Sequence, residues 1–276
     1  MKIDFDRGYA DEPYAGLVRD YPDSSVYPLE SFRVEWGPVF HRGRLDGSAR
    51  VLVIGQDPAT HEAFTRRILV GEAGQRFQGF LTKLGIDSSY VLINTFLYSV
   101  YGQSGGEKHV NDAAIADYRN RWIDAILTSV NVEAIITLGH LADSAYQQWR
   151  KTPSGAASTL TYATVLHPTY PDSASRTGTI TKAQAFAKLC ASWNTALQAL
   201  SPVITPDVAR ALVLYGSTIT TAEHTVIPAA DLPAGLPDWM RSLDAWARRS
   251  GADAQMKRAT LTVTVPTSSR TWPTVN

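Results

Sequence analysis

The chain has 276 residues, and its 26 Lys and Arg balance 26 Asp and Glu. A net charge of zero gives no global field to gather a polyanion, so any nucleic-acid contact has to come from a local patch. Hydrophobic residues at 44% and charged residues at 19% are ordinary for a globular protein, and no apolar run approaches the roughly 20 residues that span a bilayer. The single cysteine, Cys190, excludes an intrachain disulfide and any cysteine-ligated cluster or zinc site. The polar start, MKIDFDRGYADEPYAG, lacks the basic and apolar parts of a signal peptide, so a reducing cytoplasm is expected.

In chain order, the first strong element is the run Val51 to Gly55, which is short, apolar and mostly β-branched, as suits a covered parallel strand. Further strand-like runs fall at Tyr90 to Asn94, Val132 to Leu138 and Leu160 to Leu166. Between them lie segments of helical spacing: Phe77, Phe80, Leu81 and Leu84; then Ile115, Tyr118, Trp122, Ile123 and Ile126; then Leu141, Ala145 and Trp149. A helix over 182–200, with Phe186, Leu189, Trp193 and Leu197 on one face, closes the unit. Strands alternating with helices predict parallel βαβ units in an α/β fold, a three-layer α/β/α sandwich with a central, mostly parallel sheet.

Beyond SPVITPD at 201 the alternation ends, so residues 1–200 are expected to form the main domain and 201–276 an extension packed on it. Within the extension, PDWMRSLDAWARRSG predicts an amphipathic helix. Trp239, Leu243 and Trp246 form its stripe, Arg248 and Arg249 suit its C-terminal end, and Gly251 is its stop. ATLTVTVP then alternates as a half-buried strand.

Ligands bind open α/β sheets at the C-terminal ends of the strands, and those ends converge. Gln56 and Asp57 follow the first parallel strand, Asn94 ends the second, and His167 follows the last. Singly, Asp57 can cap a helix, Asn94 can fill a turn and His167 can pack before Pro168. A carboxylate, an amide and an imidazole past parallel strands point instead to one pocket.

These segments resemble the uracil-DNA glycosylase superfamily. GQDPA is similar to its first catalytic motif, VLINT to the segment with the base-reading Asn, and LHPTYP to its second motif, usually His-Pro-Ser. RRILVGEAGQRFQGFLTKLGI followed by YVLIN resembles the Val-Gly and Ala-Gly region of the iron-sulfur branch. The likeness covers residues 49–200 and describes an atypical member: a Gln-Asp-Pro motif joined to the loop of the cluster-containing branch, in a chain with too few cysteines for the cluster. No cofactor and no metal are therefore expected.

The resemblance implies a monofunctional, metal-independent glycosylase of base excision repair that hydrolyses the bond between uracil and deoxyribose and leaves an abasic site. Asp57 would face the oxocarbenium-like sugar and orient water, while His167 would hydrogen-bond uracil O2. Asn94 would read the O4 and N3–H edge. Gln56, Pro58 and Ala59 would line the pocket, with Ala59 standing where relatives keep an aromatic residue against the thymine methyl. Leu69 aligns with the stacking Phe of relatives, and Phe64 is its substitute.

On the DNA side, Thr169 keeps a hydroxyl for a phosphate, Tyr170 and Arg176 are candidate wedges, and Arg66, Arg67, Arg76 and Lys182 are candidates for the basic patch. The partner would be uracil-containing DNA, single- or double-stranded, with the base flipped out of any duplex, and the protein a monomer. Three other readings stay open: a glycosylase for another deaminated base such as hypoxanthine or xanthine, a binder of uracil or abasic sites with little turnover, and a small-molecule hydrolase.

Overall fold

The computed structural model describes residues 8–102, 106–129, 131–242 and 246–269. The helices are α1 (Tyr14–Arg19), α2 (Thr60–Thr65), α3 (Glu72–Lys83), α4 (Ala113–Ser129), α5 (His140–Trp149), α6 (Pro153–Ala157), α7 (Tyr170–Ala174), α8 (Lys182–Leu200) and α9 (Ala254–Ala259). The strands are β1 (Arg42–Gly43), β2 (Val51–Gly55), β3 (Tyr90–Asn94), β4 (Ala134–Leu138), β5 (Thr161–Val165), β6 (Ala247–Arg248) and β7 (Thr262–Val263).

Strands β1 to β5 form one mixed sheet in the order β1-β3-β2-β4-β5. All neighbours are parallel except β1, which runs antiparallel to β3 at the edge. β2, β3 and β4 are buried at every position, because side chains of opposite parity feed two different cores. Leu52, Ile54, Val91, Ile93 and Ile135 join Tyr14, Ile115, Trp122 and Trp149 of α1, α4 and α5 on one face. Val51, Val53, Leu92 and Ile136 join Phe77, Phe80, Leu189 and Trp193 of α3 and α8 on the other. This is the layered α/β architecture that the alternation of elements predicts.

α8 begins where a capping box sets it: Thr181 Oγ1 accepts from the Gln184 N–H at 3.2 Å, and the Gln184 side chain accepts from the Thr181 N–H at 2.8 Å.

Residues 201–269 run as a strap up the α3 and α8 side. At the N-terminal edge of the sheet, Asp207 accepts three backbone N–H groups, from Asp87, Ser88 and Ser89, at 2.8 to 3.0 Å. Midway, Asn194 exchanges two hydrogen bonds with the backbone of Tyr215. Asp231 then enters the interior, where Arg42 meets it at 3.0 Å with both side chains fully buried, and Tyr90 also donates its hydroxyl. At the C-terminal edge, Trp246 is 2% exposed and sets its ring against His61 with centroids 4.7 Å apart.

The described residues of the amphipathic helix expected over 237–251 are not α-helical. Asp238–Arg241 is a 3₁₀ turn, and Ala247 and Arg248 pair with Val263 and Thr262 as a short antiparallel ribbon. Leu243 lies outside the described residues. Tertiary contacts override the local helical pattern: Trp246 is buried by packing on α2, and its backbone carbonyl accepts the Thr264 N–H at 2.7 Å. The strand expected in ATLTVTVP shortens to the two residues of β7.

Candidate active site

Strand β2 lies at the point where the sheet changes its direction of growth. The chain places β3 on one side of it and then β4 and β5 on the other, which makes a crevice at the C-terminal end of β2. The segment 56–59 leaves the sheet there. Pairing continues past the strands, since Gly55 O accepts both the Thr95 N–H at 2.9 Å and its hydroxyl at 2.8 Å, and Gln56 O accepts the Phe96 N–H at 2.9 Å. The half-buried Gln56 is thus held through its backbone, leaving its side chain free of that duty.

Asp57 is half-buried, and its Oδ2 accepts the Val100 N–H at 3.1 Å. Burial raises its pKa to about 7, more than that N–H restores, and the charge of Glu62 adds to the rise while Arg249 opposes it. Pro58 is buried and Ala59 is exposed at the start of α2. Ala59 has no side chain to cap the helix, so Glu62 satisfies the Ala59 N–H at 3.1 Å and, with its other oxygen, the Val70 N–H at 3.0 Å.

Asn94 sits opposite Gly55 in the β2–β3 register. A Cβ at position 55 would stand 2.4 Å from Asn94 Oδ1, so only glycine lets the amide lie across the end of β2. Asn94 Nδ2 is buried and meets no acceptor among the described residues. A small cavity of about 20 Å³ beside Asn94, lined by Tyr27, Phe96, Tyr118, Arg119 and Trp122, has room for one water and not for a base.

His167 lies two strands from Asp57 across the sheet, about 10 Å at ordinary strand spacing, a gap of the order of a base. The end of β4 between them is Gly139, which sits at φ +86° and where a Cβ would be 3.2 Å from His167 Cβ. His167 Nδ1 accepts the Thr169 N–H at 3.2 Å and lies 2.8 Å from its hydroxyl. A backbone donor on Nδ1 fixes the tautomer that carries its proton on Nε2. Burial lowers the pKa to about 4, so the ring is neutral at physiological pH.

Behind this turn Arg76, 5% exposed, donates to Pro168 O at 2.9 Å and to Asp172 at 3.3 Å, and pairs with Glu72. Arg76 therefore clamps the His-Pro-Thr turn from inside, and is not part of an exposed basic patch. Its neighbours are engaged to different degrees. Arg66 donates to the carbonyls of Trp36 at 2.6 Å and Ala63 at 3.3 Å and to that of Pro38, and Lys182 pairs with Asp172 at 2.8 Å. Arg67 is half-buried, donates to Arg66 O at 3.0 Å and lies 5.9 Å from the Tyr9 ring.

The segment YPDSASRT is not an open loop. Tyr170 is the half-buried first residue of α7, a 3₁₀ turn follows over Ser175–Thr177, and the exposed Arg176 donates to Asp172 O at 2.9 Å.

Of the two stacking candidates, Leu69 is 9% exposed and belongs to the α3/α8 core, while the half-buried Phe64 leans on Trp246 with centroids 6.0 Å apart. His61 holds the Ala247 N–H at 3.4 Å, and burial lowers its pKa against the pull of Glu62. Sequence reasoning missed Glu62, Val100 and Arg249 at this site. Only Glu62 left a signal, as the acidic residue three positions after a helix start.

A second constellation is Ser31, His109 and Asp112, linked at 2.9 and 2.6 Å. Ser31 is 3% exposed, which bars an incoming carbonyl, so the chain of bonds ties the segment before β1 to the one before α4. Among the described residues no group of three His, Cys, Asp or Glu side chains is arranged to hold a metal, and no helix is long and apolar enough to cross a membrane. Cys190 is buried in α8, its thiol pushed up to about 11 by that burial.

These features define an α/β protein whose polar groups gather at the switch point of a mostly parallel sheet. A family model, the Uracil DNA glycosylase superfamily, matches residues 42–194, more than half of the chain and all of the central sheet. The chain belongs to that superfamily, which makes it a DNA glycosylase, a hydrolase of DNA repair. No curated protein matches the chain.

Proposed function

We propose that the chain excises uracil from DNA by hydrolysing its N-glycosidic bond, as a monofunctional enzyme. The observation that carries this reading is the Nδ2 of Asn94, a buried donor with no acceptor among the described residues, at the strand edge shared with Asp57 and His167. A buried donor favours a keto group and rejects the amino group that cytosine presents there. Uracil O4 satisfies Nδ2, and its N3–H satisfies Oδ1.

As the bond breaks, positive charge grows on the sugar and negative charge on the base. Ionised Asp57 supports the first and orients water. The Nε2–H of His167, held outward by the acceptor role of Nδ1, donates to O2 as the second develops. Neutral imidazole suffices for that donation and needs no proton transfer. The base reaches these groups by leaving the helical stack.

Ala59 supports a second reading, since an exposed methyl stands where the resemblance places an aromatic ring against the base. Hypoxanthine and xanthine present a keto oxygen beside a ring N–H, the same pattern that uracil offers Asn94. A panel of oligonucleotides carrying uracil, hypoxanthine, xanthine, thymine or cytosine, single-stranded and paired, separates the two. Under the first reading uracil is released fastest and cytosine is untouched. Faster release of hypoxanthine or xanthine would replace uracil as the substrate, and release of none would end both readings.

A further inference from the structure

The strap passes beside the Asp57 cleft, and there it carries positive charge that is in no ion pair among the described residues. Trp246 packs on His61 and Phe64 of α2, on one side of Asp57. On the other side, Val100 holds Asp57, and the next residue, Tyr101, lies beneath two guanidinium groups, Arg33 at 4.2 Å and Arg258 at 5.0 Å. Residues 246–258 therefore bridge the two loops that flank the carboxylate.

The strap is fastened there by backbone, because Arg33 donates to the Arg258 carbonyl at 2.9 Å and leaves the Arg258 side chain outside. Arg33 is 1% exposed, and its Nε is buried with no acceptor. It is surrounded by the Trp36 and Tyr101 rings and has no carboxylate in ion-pair contact among the described residues. A buried cation of this kind adds positive potential to the surface above it.

That surface holds Arg248, Arg249, Lys257 and Arg258, all exposed and none in an ion pair with a described carboxylate. Arg249 acts on Asp57 without forming an ion pair with it, and two other described acidic groups nearby are engaged by uncharged donors. Asp253 caps α9 by accepting the Met256 N–H at 2.8 Å, and Glu35 accepts the Tyr101 hydroxyl at 3.1 Å. Four exposed cations beside one cleft form a surface of like charge that attracts an anion. In a chain of zero net charge it is the local patch that DNA binding requires.

We propose that residues 246–258 form a phosphate-binding rim, in which Arg249 and Arg258 hold the DNA backbone beside the cleft that receives the base. The proposal rests on the reading of DNA as substrate and extends the binding surface beyond the 42–194 segment shared with the superfamily. The rim recognises phosphate and no base, so it positions the strand irrespective of sequence.

The test is fluorescence anisotropy with labelled oligonucleotides free of uracil, duplex and single-stranded, titrated across a salt series. Wild type is compared with Arg249→Gln/Arg258→Gln, with Arg249→Lys/Arg258→Lys, and with Lys151→Gln, which lies after α5 where that helix has run away from the strand ends. The Gln pair is expected to weaken binding about tenfold at low salt and to lower the slope of log Kd against log salt by about two units, roughly one for each phosphate that is no longer neutralised. The Lys pair should keep most of both, and Lys151→Gln should match wild type.

The Gln pair and the Lys pair should both melt like wild type. An unchanged Kd and slope in the Gln pair would overturn the rim while leaving the DNA reading intact. Absence of DNA affinity in wild type at low salt would remove the DNA reading itself, and the rim with it.

Discussion

The sheet and the strap make opposite use of burial. In the sheet, alternate residues of β2, β3 and β4 fill two apolar cores, and the candidate site residues Asp57, Asn94 and His167 stand at the strand ends, half-buried or nearly buried. In the strap, few residues are apolar and buried, and single anchors join it to distant parts of the chain: the polar contacts of Asp207 with three N–H groups and of Asp231 with Arg42, and the ring contact of Trp246 with His61. One region is held by continuous apolar burial, the other at separate points along its length.

The largest expected effect belongs to the sheet. Asp57→Asn and His167→Ala should each lower single-turnover excision by about 10²- to 10⁴-fold while the proteins remain folded by circular dichroism. An equally large fall in a strap variant such as Trp246→Ala would erase the division of labour between the regions.

Next comes the anchor between them. Asp231→Ala leaves Arg42 buried without its counter-ion and should lower unfolding free energy by about 3 to 5 kcal/mol in a denaturant titration. Asp231→Asn, which keeps an acceptor for Tyr90, should lose less. A cost below about 1 kcal/mol for the alanine variant would mean that the strap is not fixed through this pair.

The pH dependence sharpens the comparison within the sheet. The pKa of Asp57 rises on folding from 3.8 to about 7, so the native state binds more protons than the unfolded chain between those values and stability falls as pH rises. The pKa of His167 falls from 6.5 to about 4, so the unfolded chain binds more protons in that window and stability rises with pH. The two slopes oppose each other in wild type. In Asp57→Asn stability should climb from pH 4 to 6.5, and in His167→Gln it should decline from pH 4 to 7, as thermal melts across pH would record. Parallel profiles in the two variants would contradict the opposed environments.

The smallest effect is expected from Thr169→Val. The Thr169 N–H still fixes the His167 tautomer, so excision should fall less than about tenfold.

The same contrast explains what the sequence discloses. Runs such as VLVIG and YVLIN, and the Thr181–Gln184 capping box, encode local structure, so β2, β3 and α8 stand where periodicity places them. Asn94 ends its strand, and Asp57 and His167 lie just past theirs, for the same reason. The strap has no such periodicity, and its partners are remote: Asp231 meets Arg42 from 189 residues away and Gln75 meets the Ser242 carbonyl from 167. Its one strong local pattern, around Trp239 and Trp246, predicts a helix that packing on His61 replaces with a turn and a short ribbon. Basic residues misled for a related reason, because the carbonyls that engage Arg66 and Arg76 belong to segments far off in the chain.

The most direct test of the account is single-turnover release of uracil from a labelled oligonucleotide by wild type and Asp57→Asn across pH 5 to 9. Wild type should release uracil with a rate that climbs with pH and levels off above about 7, as Asp57 ionises, while the variant stays flat and lower by orders of magnitude. Equal rates for the two proteins would contradict the assignment of Asp57, and an absence of uracil release by wild type at every pH would contradict the proposed substrate.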